Sequence, residues 1–519
     1  MPGKHTSRGC VAAGHPLTAE AGLRALEAGG NAFDAALAAL CMACVAEPVL
    51  ATLAGGGFCL TRTAGGDARV FDFFAQTPIQ KRELQGIDFR PILADFGVAK
   101  QEFHIGLGSV ATPGVVRGIF AVHRALGSLP MSEIVAPAVE VARRGMILTP
   151  FQSYIMQVIA PILRHTPEAR ALFTRQDPEG TILQGGDFLA NPDLADLFEA
   201  LAREGDALFY EGEVATAIER LSRDVGGHLT RDDLRRYRAI VREPLRLRYR
   251  GATLLTNPPP SAGGLLIAFG LALLAGRDLS ALPFGSADYV ELLADVQAAT
   301  IHARRRHGST PVLLDPQILE EAAAEVAAAP RMTRGTTHLS VIDREGNAAA
   351  ITVSNGEGCG HLVPGTGTML NNMLGEEDIN PAGFHAWAPD ARMSSMMSPT
   401  ALERDDGAVI VLGSGGSKRI RTAILQVLVN LLDHGMSVAE AVAAPRLHVD
   451  DGRLYAEPGL GDDARARLCA RHPDHAFFPA LNMYFGGVHA VVRDPGGALH
   501  GAGDPRRAGA CLDRRGAAE

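Results

Sequence analysis

The sequence predicts an α+β fold in which two β-sheets are covered by helices. Two observations point there. Long stretches carry apolar residues at helical spacing, while other stretches show short alternating runs joined by glycine turns. Two sheets with helices packed over them bury both patterns at once. No segment repeats at a fixed period, which argues against a solenoid. The 519 residues are enough for a large core, and length alone would suggest about three or four domains.

The elements follow in order. TAEAGLRALEAGGNAFDAALAALCMACVAEPV, from Thr18 to Val49, reads as an amphipathic helix, a break at Gly29-Gly30 and a more buried helix from about Asn31. TLAGGGFCLTRT runs a triple glycine into a strand, and ARVFDFFAQTP continues a strand pair. Residues 107–127 give a turn and a helix. LPMSEIVAPAVEVARRGMILTP is another helix, and residues 153–247 are mostly helical and charged. In NPPPSAGGLLIAFGLALLAG three prolines fix the entering backbone and two glycines open a buried helix. Residues 286–307 are helical. SVIDREGNAAAITVSN is a strand, a turn and a strand, AVIVLGSGGSKRIRTAILQVLVNLL is strand, glycine loop and helix, and FGGVHAVVRDPGGALHGAGD is the last strand pair.

Composition excludes several classes. With 47% hydrophobic and 21% charged residues the chain is globular, and a formal charge of -9 argues against a nucleic-acid binder. The 58 glycines and 31 prolines lack a collagen period and mark tight turns. Seven scattered cysteines, Cys10, Cys41, Cys44, Cys59, Cys359, Cys469 and Cys511, form no disulfide framework. The Cys41-Met-Ala-Cys44 step lies in an apolar helical run and reads as buried helix cysteines. No apolar signal core precedes position 21, and Asp34 and Glu47 interrupt the longer apolar run, so neither a cleaved signal nor a membrane span is expected. The expected location is cytoplasmic, with the periplasm as the alternative.

Chemistry concentrates in a few stretches. In RMTRGTTHLSVID, Gly335 and Thr336 precede a strand. If the bond between them is cut, Thr336 carries an amine beside its hydroxyl, a base and a nucleophile on one residue. GSGGSKR, from Gly413 to Arg419, lacks the spacing of a phosphate loop but has glycine amides suited to a developing oxyanion. His338, His361, His385, His448, His489 and His500 are dispersed and build no zinc site by spacing, so no metal or other cofactor is expected. Glu376-Glu377-Asp378 and Ser394-Ser395 are, taken alone, a solvated turn and a capped turn.

The order of AGGGF, SVATPG, NPPPSAGG, TTHLSVIDREGNAA, LNN, SSMMSPT, GSGGS, APRLH and GAGDPRR resembles the gamma-glutamyltransferase (glutathione hydrolase) family of N-terminal-nucleophile hydrolases over nearly the whole chain. The resemblance implies a four-layered αββα sandwich and a precursor that cuts itself before Thr336. The products are a large chain, 1–335, and a small chain, 336–519, held as a heterodimer in one structural unit. It implies Thr336 as nucleophile, Ser354 as the hydroxyl that bonds to it, Gly415 and Gly416 as the oxyanion pair, and Asn355 in the same pocket. Ser394 and Ser395 would bind a substrate α-carboxylate, and Glu376 an α-amine, with Glu377 or Asp378 as alternates. Thr337 and His338 belong to the surrounding strand rather than to the proton relay.

Two departures qualify the substrate. Phe74 stands where the family carries an arginine for the α-carboxylate, with Lys81 and Arg82 several residues further on. The segment from Asn372 to Ser394 is short, and Trp387 lies within it. The expected activity is hydrolysis of γ-glutamyl amides such as glutathione, or transfer of the acyl group to an amine. The alternatives are an acylase for a different acyl donor and, from another class, an inactive binding or structural homologue. The expected partners are a small amide substrate and the protein's own two chains, with no nucleic acid and no membrane span.

Overall fold

The computed structural model describes residues 8–95, 100–324, 336–380, 382–450 and 452–513. The expected junction residue Gly335 lies outside them. Two antiparallel sheets organise the chain. The first is seven-stranded and is built from β1 (Gly9–Ala13), β2 (Gly56–Arg62), β3 (Ala68–Phe73) and β4 (Ile240–Arg242), together with three later strands. Two strands of the second sheet follow, β5 (Leu245–Tyr249) and β6 (Ala252–Thr256). Then come β7 (Thr337–Asp343), β8 (Ala348–Ser354), β9 (Thr400–Arg404), β10 (Val409–Gly415), β11 (Gly487–Arg493), β12 (Leu499–Ala502) and β13 (Ala510–Leu512). The first sheet runs β13-β1-β7-β8-β2-β3-β4, and the second, six-stranded, β12-β11-β10-β9-β6-β5.

The two sheets pack face to face, with β7 against β10 and β11 and β8 against β10. Period-two alternation sends successive residues of the central strands into two different cores. In β1, Val11 and Ala13 join one cluster while Cys10 and Ala12 join the other. In β2, Cys59 faces one side, and Phe58 and Leu60 the other. The central strands β1, β7 and β8 are therefore buried at every position, on both faces, and not on one face alone as an alternating run would imply.

Helices cover the outer faces. α1 (Pro16–Glu27) packs on β1, and α2 (Ala32–Ala46) packs on β7 and β8. The Gly29-Gly30 break holds, and α2 begins where Asn31 closes a capping box: its side chain accepts from Phe33 and Asp34 N–H, and the Asp34 carboxylate accepts from Asn31 N–H at 3.0 Å. Every residue of α2 is buried. Its Cys41 thiol is pushed up to about 12 by burial, and burial also pushes the Cys44 thiol well up, so both behave as inert core residues. On the far side, α3 (Gly263–Ala275) packs against α5 (Arg419–Leu432), and α5 against β10; α4 (Ala287–His307) lies beside α3. Among the described residues no helix is long and apolar enough to cross a membrane.

The interface between the sheets contains a polar pin. His338 Nε2 lies 3.0 Å from Ser340 Oγ, which donates to the His489 carbonyl at 3.1 Å, and His338 Nδ1 lies 2.8 Å from Thr352 Oγ1. The Ser340 proton is committed to His489, so the ring donates from Nε2 and accepts at Nδ1. Burial holds it well below its usual pKa, and it stays neutral.

The turn after β12 is held by buried charge. Arg506 spans both oxygens of Glu457, at 2.8 Å to Oε1 from Nε and 2.5 Å to Oε2 from Nη2. Arg506 and Arg446 also meet Asp504, at 3.2 and 2.7 Å. Glu457→Ala leaves Arg506 buried without its main counter-ion, so stability is expected to fall by about 3–5 kcal/mol. The midpoint of urea unfolding measures this.

Candidate active site

Thr336 sits one residue before β7 and is 4% exposed. Its neighbours β1 and β8 pair with β7 on either side, so the strand that presents it is central in its sheet. The next residue is anchored on the helical side: Thr337 Oγ1 donates to Glu47 Oε2 at 2.6 Å, and Thr18 Oγ1 donates to Oε1 at 2.8 Å. Burial raises the Glu47 carboxyl, partly opposed by these two hydroxyls and by Arg507.

Arg507 holds Thr336 directly. Its Nη1 donates to the Thr336 carbonyl at 2.7 Å. The guanidinium is 2% exposed. Burial first, and then Arg419, push its pKa down to about 10, against Asp504, Glu47 and Glu357. Two glycines make room for the contact. A methyl group on Gly415 would overlap the Thr336 carbonyl oxygen, and one on Gly487 would overlap the Arg507 side chain. Gly416 follows with φ +112, open only to glycine without strain. The GSGGS run therefore ends β10, turns, and enters α5, and the turn lies against the Thr336 backbone.

A small cleft, partly open to solvent, lies in front of Thr336. Ser354, Glu376, Ser395 and Ser417 give it polar atoms. Phe74, Met373, Ile379, Met396, Met397 and Ile420 give it an apolar wall. Ser354 Oγ accepts from Gly356 N–H at 2.9 Å, and Ser395 Oγ from Met397 N–H at 3.1 Å.

Other residues singled out in the sequence stand back from this cavity. Asn355 is buried behind it, where its Oδ1 accepts from Thr52 Oγ1 at 2.7 Å. Ser394 is half-buried and outside the lining. Glu377, an alternate for the amine site, is exposed and off the cavity wall; it starts a short 3-10 turn. Asp378 is taken by Ser417 Oγ at 2.5 Å and Lys418 Nζ at 3.5 Å.

Phe74 belongs to both core and cavity. It is 1% exposed and stacks on Phe58 with ring centroids 5.5 Å apart, while its ring forms part of the cavity wall. The nearby cations are engaged elsewhere. Lys81 Nζ donates to the His385 carbonyl at 2.8 Å and lies 4.7 Å over the Trp387 ring. Arg82 Nη1 donates to the Ser222 and Gly227 carbonyls. Arg392 reaches the Phe74 carbonyl, the Tyr237 hydroxyl and the Arg238 carbonyl. No lysine or arginine lines the cavity among the described residues. Sequence reasoning missed Arg507 and Glu47. The GAGDPRR run was visible as a motif, but nothing in its spacing tells which arginine meets Thr336.

Comparison with known proteins gives one consistent answer. A family model described as Gamma-glutamyltranspeptidase matches residues 18–513. The chain is 34% identical to an acylase ACY 1 proenzyme from Pseudomonas sp. strain V22, over 96% of this chain and 92% of that protein. It is 31% identical to a glutathione hydrolase proenzyme from Escherichia coli strain K12, over 96% and 90%. Its fold matches the crystal structure of cephalosporin acylase from Bacillus halodurans with a TM-score of 0.85, at 24% identity, covering 99% of this chain and 97% of that one.

Arg507 holds the Thr336 backbone without lining the cavity, so it is a positioning residue. Arg507→Met removes a charge-assisted bond worth about 1.5–3 kcal/mol. We expect kcat for amide hydrolysis to fall by about 10- to 100-fold with KM nearly unchanged, and Arg507→Lys to recover part of the loss. Steady-state kinetics on a chromogenic anilide checks both.

Proposed function

Because the chain belongs to the gamma-glutamyltranspeptidase family, we propose that it is a self-processing amide hydrolase and acyltransferase whose nucleophile is Thr336. The observation that carries this reading is the seat of Thr336. It is buried at the head of a central strand, its carbonyl is held by Arg507, and it faces a cavity beside the glycine turn. The layers fit the proposal as an αββα sandwich, with α1 and α2 on one side and α3 to α5 on the other.

Maturation proceeds by attack of Thr336 Oγ on the Gly335 carbonyl. The C–N bond breaks as the C–O ester forms, and the proton moves from the hydroxyl to the departing nitrogen. Water then hydrolyses the ester, releasing a chain 1–335 and a chain 336–519 with a new amine on Thr336. An N-terminal amine has a pKa near 7.7–8.0, so a useful fraction is neutral at neutral pH. In turnover it takes the hydroxyl proton as Oγ attacks the substrate amide, and passes it to the leaving amine. In this reading the backbone N–H groups of Gly415 and Gly416 serve as donors to the oxygen on which charge develops, and Ser354 steadies the hydroxyl. The acyl-Thr336 ester then passes its acyl group to water or to an amine.

The cavity wall favours an acyl donor without an α-carboxylate. Phe74 and the methionines offer apolar contact, Glu376 offers a carboxylate that attracts an ammonium group and repels a second carboxylate, and no guanidinium is aimed inward. The γ-glutamyl donor is the second reading, favoured by Ser395 and Glu376 together, which offer one group to each end of an amino acid.

Two outcomes follow. The small chain is expected to begin at Thr336 by N-terminal sequencing, and Thr336→Ala to remain one chain of 54.7 kDa by intact mass; cutting of that variant at the same bond would remove Thr336 from the role. Matched anilides test the donor. The 4-aminobutyryl and phenylacetyl compounds are expected to match or exceed γ-glutamyl in kcat/KM, and glutaryl to be poorest. A γ-glutamyl preference of about tenfold or more, which is about 1.4 kcal/mol, would restore the second reading.

A further inference from the structure

We propose that Asp88, His165 and His361 form a binding site for a divalent transition ion of the zinc class, behind the loop that follows β8. One ligand atom from each residue lies within 4.8 Å of the others. His361 Nε2 is 3.1 Å from Asp88 Oδ2. Ligand atoms about 2.0–2.2 Å from a tetrahedral zinc stand roughly 3.3–3.5 Å apart. The Asp88–His361 pair, at 3.1 Å, is within a few tenths of an ångström of that spacing, and the His165 atom, within 4.8 Å of the other two, has at most about 1.5 Å to close. Two imidazoles and one carboxylate are the donor set that zinc takes when it keeps a fourth position for water.

The backbones that carry these side chains are fixed without an ion. Asp88 N–H donates to the Gly226 carbonyl at 3.0 Å, and Gly108 N–H to the Asp88 carbonyl at 2.8 Å. Cys359 N–H donates to the Leu370 carbonyl at 2.9 Å, and Leu370 N–H to the His361 carbonyl at 3.0 Å. Thr166 Oγ1 donates to the Gly360 carbonyl at 2.9 Å, tying the His165 turn to the His361 turn. Two glycines allow the approach. A Cβ on Gly360, where φ is +86, would come within 2.8 Å of the His165 side chain. One on Gly106, where φ is +92, would come within 2.6 Å of the Asp88 carboxylate. Glycine is thus placed where a larger residue would push two of the three ligands out.

The surroundings set the strength. Asp88 Oδ2 also accepts from Leu107 N–H at 3.0 Å, and Asp88 Oδ1 accepts from Arg90 Nε at 2.9 Å. Arg90 shares the only carboxylate in the set, so the ion is held less tightly than in an all-cysteine site. To bind through Nε2, the His361 ring carries its proton on Nδ1. Asp88 and His165 precede Thr336 in the chain and His361 follows it, so a bound ion ties the two halves of the sequence together.

The test uses the full chain, stripped with a chelator and titrated with zinc chloride by calorimetry, with thermal unfolding followed in parallel. Wild type is expected to bind one equivalent that His165→Ala and His361→Ala do not, and its unfolding midpoint to rise by several degrees in zinc while theirs does not. The His165 ring is only partly buried, so His165→Ala is expected to unfold with wild type in the absence of metal, and it decides the matter if His361→Ala fails to fold. Cobalt should give the visible absorption of a tetrahedral site in wild type alone. No zinc bound by wild type, or the same equivalent bound by His165→Ala, overturns the proposal and leaves an ordinary carboxylate–imidazole pair.

Discussion

The contact between the Arg507 guanidinium and the Thr336 carbonyl, 2.7 Å long and buried, is the constraint from which the neighbourhood follows. A cation taken out of water needs carboxylates around it, and Asp504, Glu47 and Glu357 surround this one. Asp504 in turn needs Arg446 and Arg506, and Arg506 needs Glu457. The glycines of the β10 turn and of β11 exist, in physical terms, to let that guanidinium and that carbonyl meet. Arginine density near the C-terminal end of the chain is therefore part of the site's foundation and not a surface patch.

Much of the fold was legible because it rests on local rules. Asn31 and Asp34 form a capping box, Gly29-Gly30 breaks a helix, and the GSGGS run ends a strand and opens α5. The cavity also brings together Thr336, Ser354, Glu376, Ser395 and Phe74, which the motif order singled out. What stayed hidden depends on pairing across long separations. Glu47 meets Thr337 across 290 positions, and neither residue signals the other by spacing. Asp88 and His361 are 273 positions apart, so a search for short metal-binding spacings passes over them. In the Glu376-Glu377-Asp378 run, one acid faces the cavity, one faces solvent and one serves an internal lysine and serine. That division is set by a 3-10 turn whose phase the composition does not reveal.

Part of the segment between β8 and β9 forms a strap fastened to the earlier part of the chain by a few contacts. Thr77 Oγ1 donates to the Ala388 carbonyl at 2.6 Å, Gln76 Nε2 to Asp390 at 2.7 Å, and Lys81 to the His385 carbonyl. Trp387, 8% exposed, packs edge-on to His228 with ring centroids 5.3 Å apart. Every one of these contacts reaches back to residues that precede Thr336. Lys81 and Arg392 are engaged in fastening the strap and the end of β3, and Arg82 is bonded to the Ser222 and Gly227 carbonyls, so none of the three is offered to the apolar-walled cavity.

In the first sheet, strands from before and after Thr336 are interleaved: β1 lies between β13 and β7, and β8 lies against β2. Neither half of the sequence owns a complete sheet. While the chain is continuous, each half meets the other at the high effective concentration of a tether. Once the proposed cut is made, the same assembly from separated halves becomes a bimolecular reaction between two pieces that each expose unpaired strand edges. For a protein cut in this way, durability would depend on how slowly the two pieces come apart and not on how readily they find each other again.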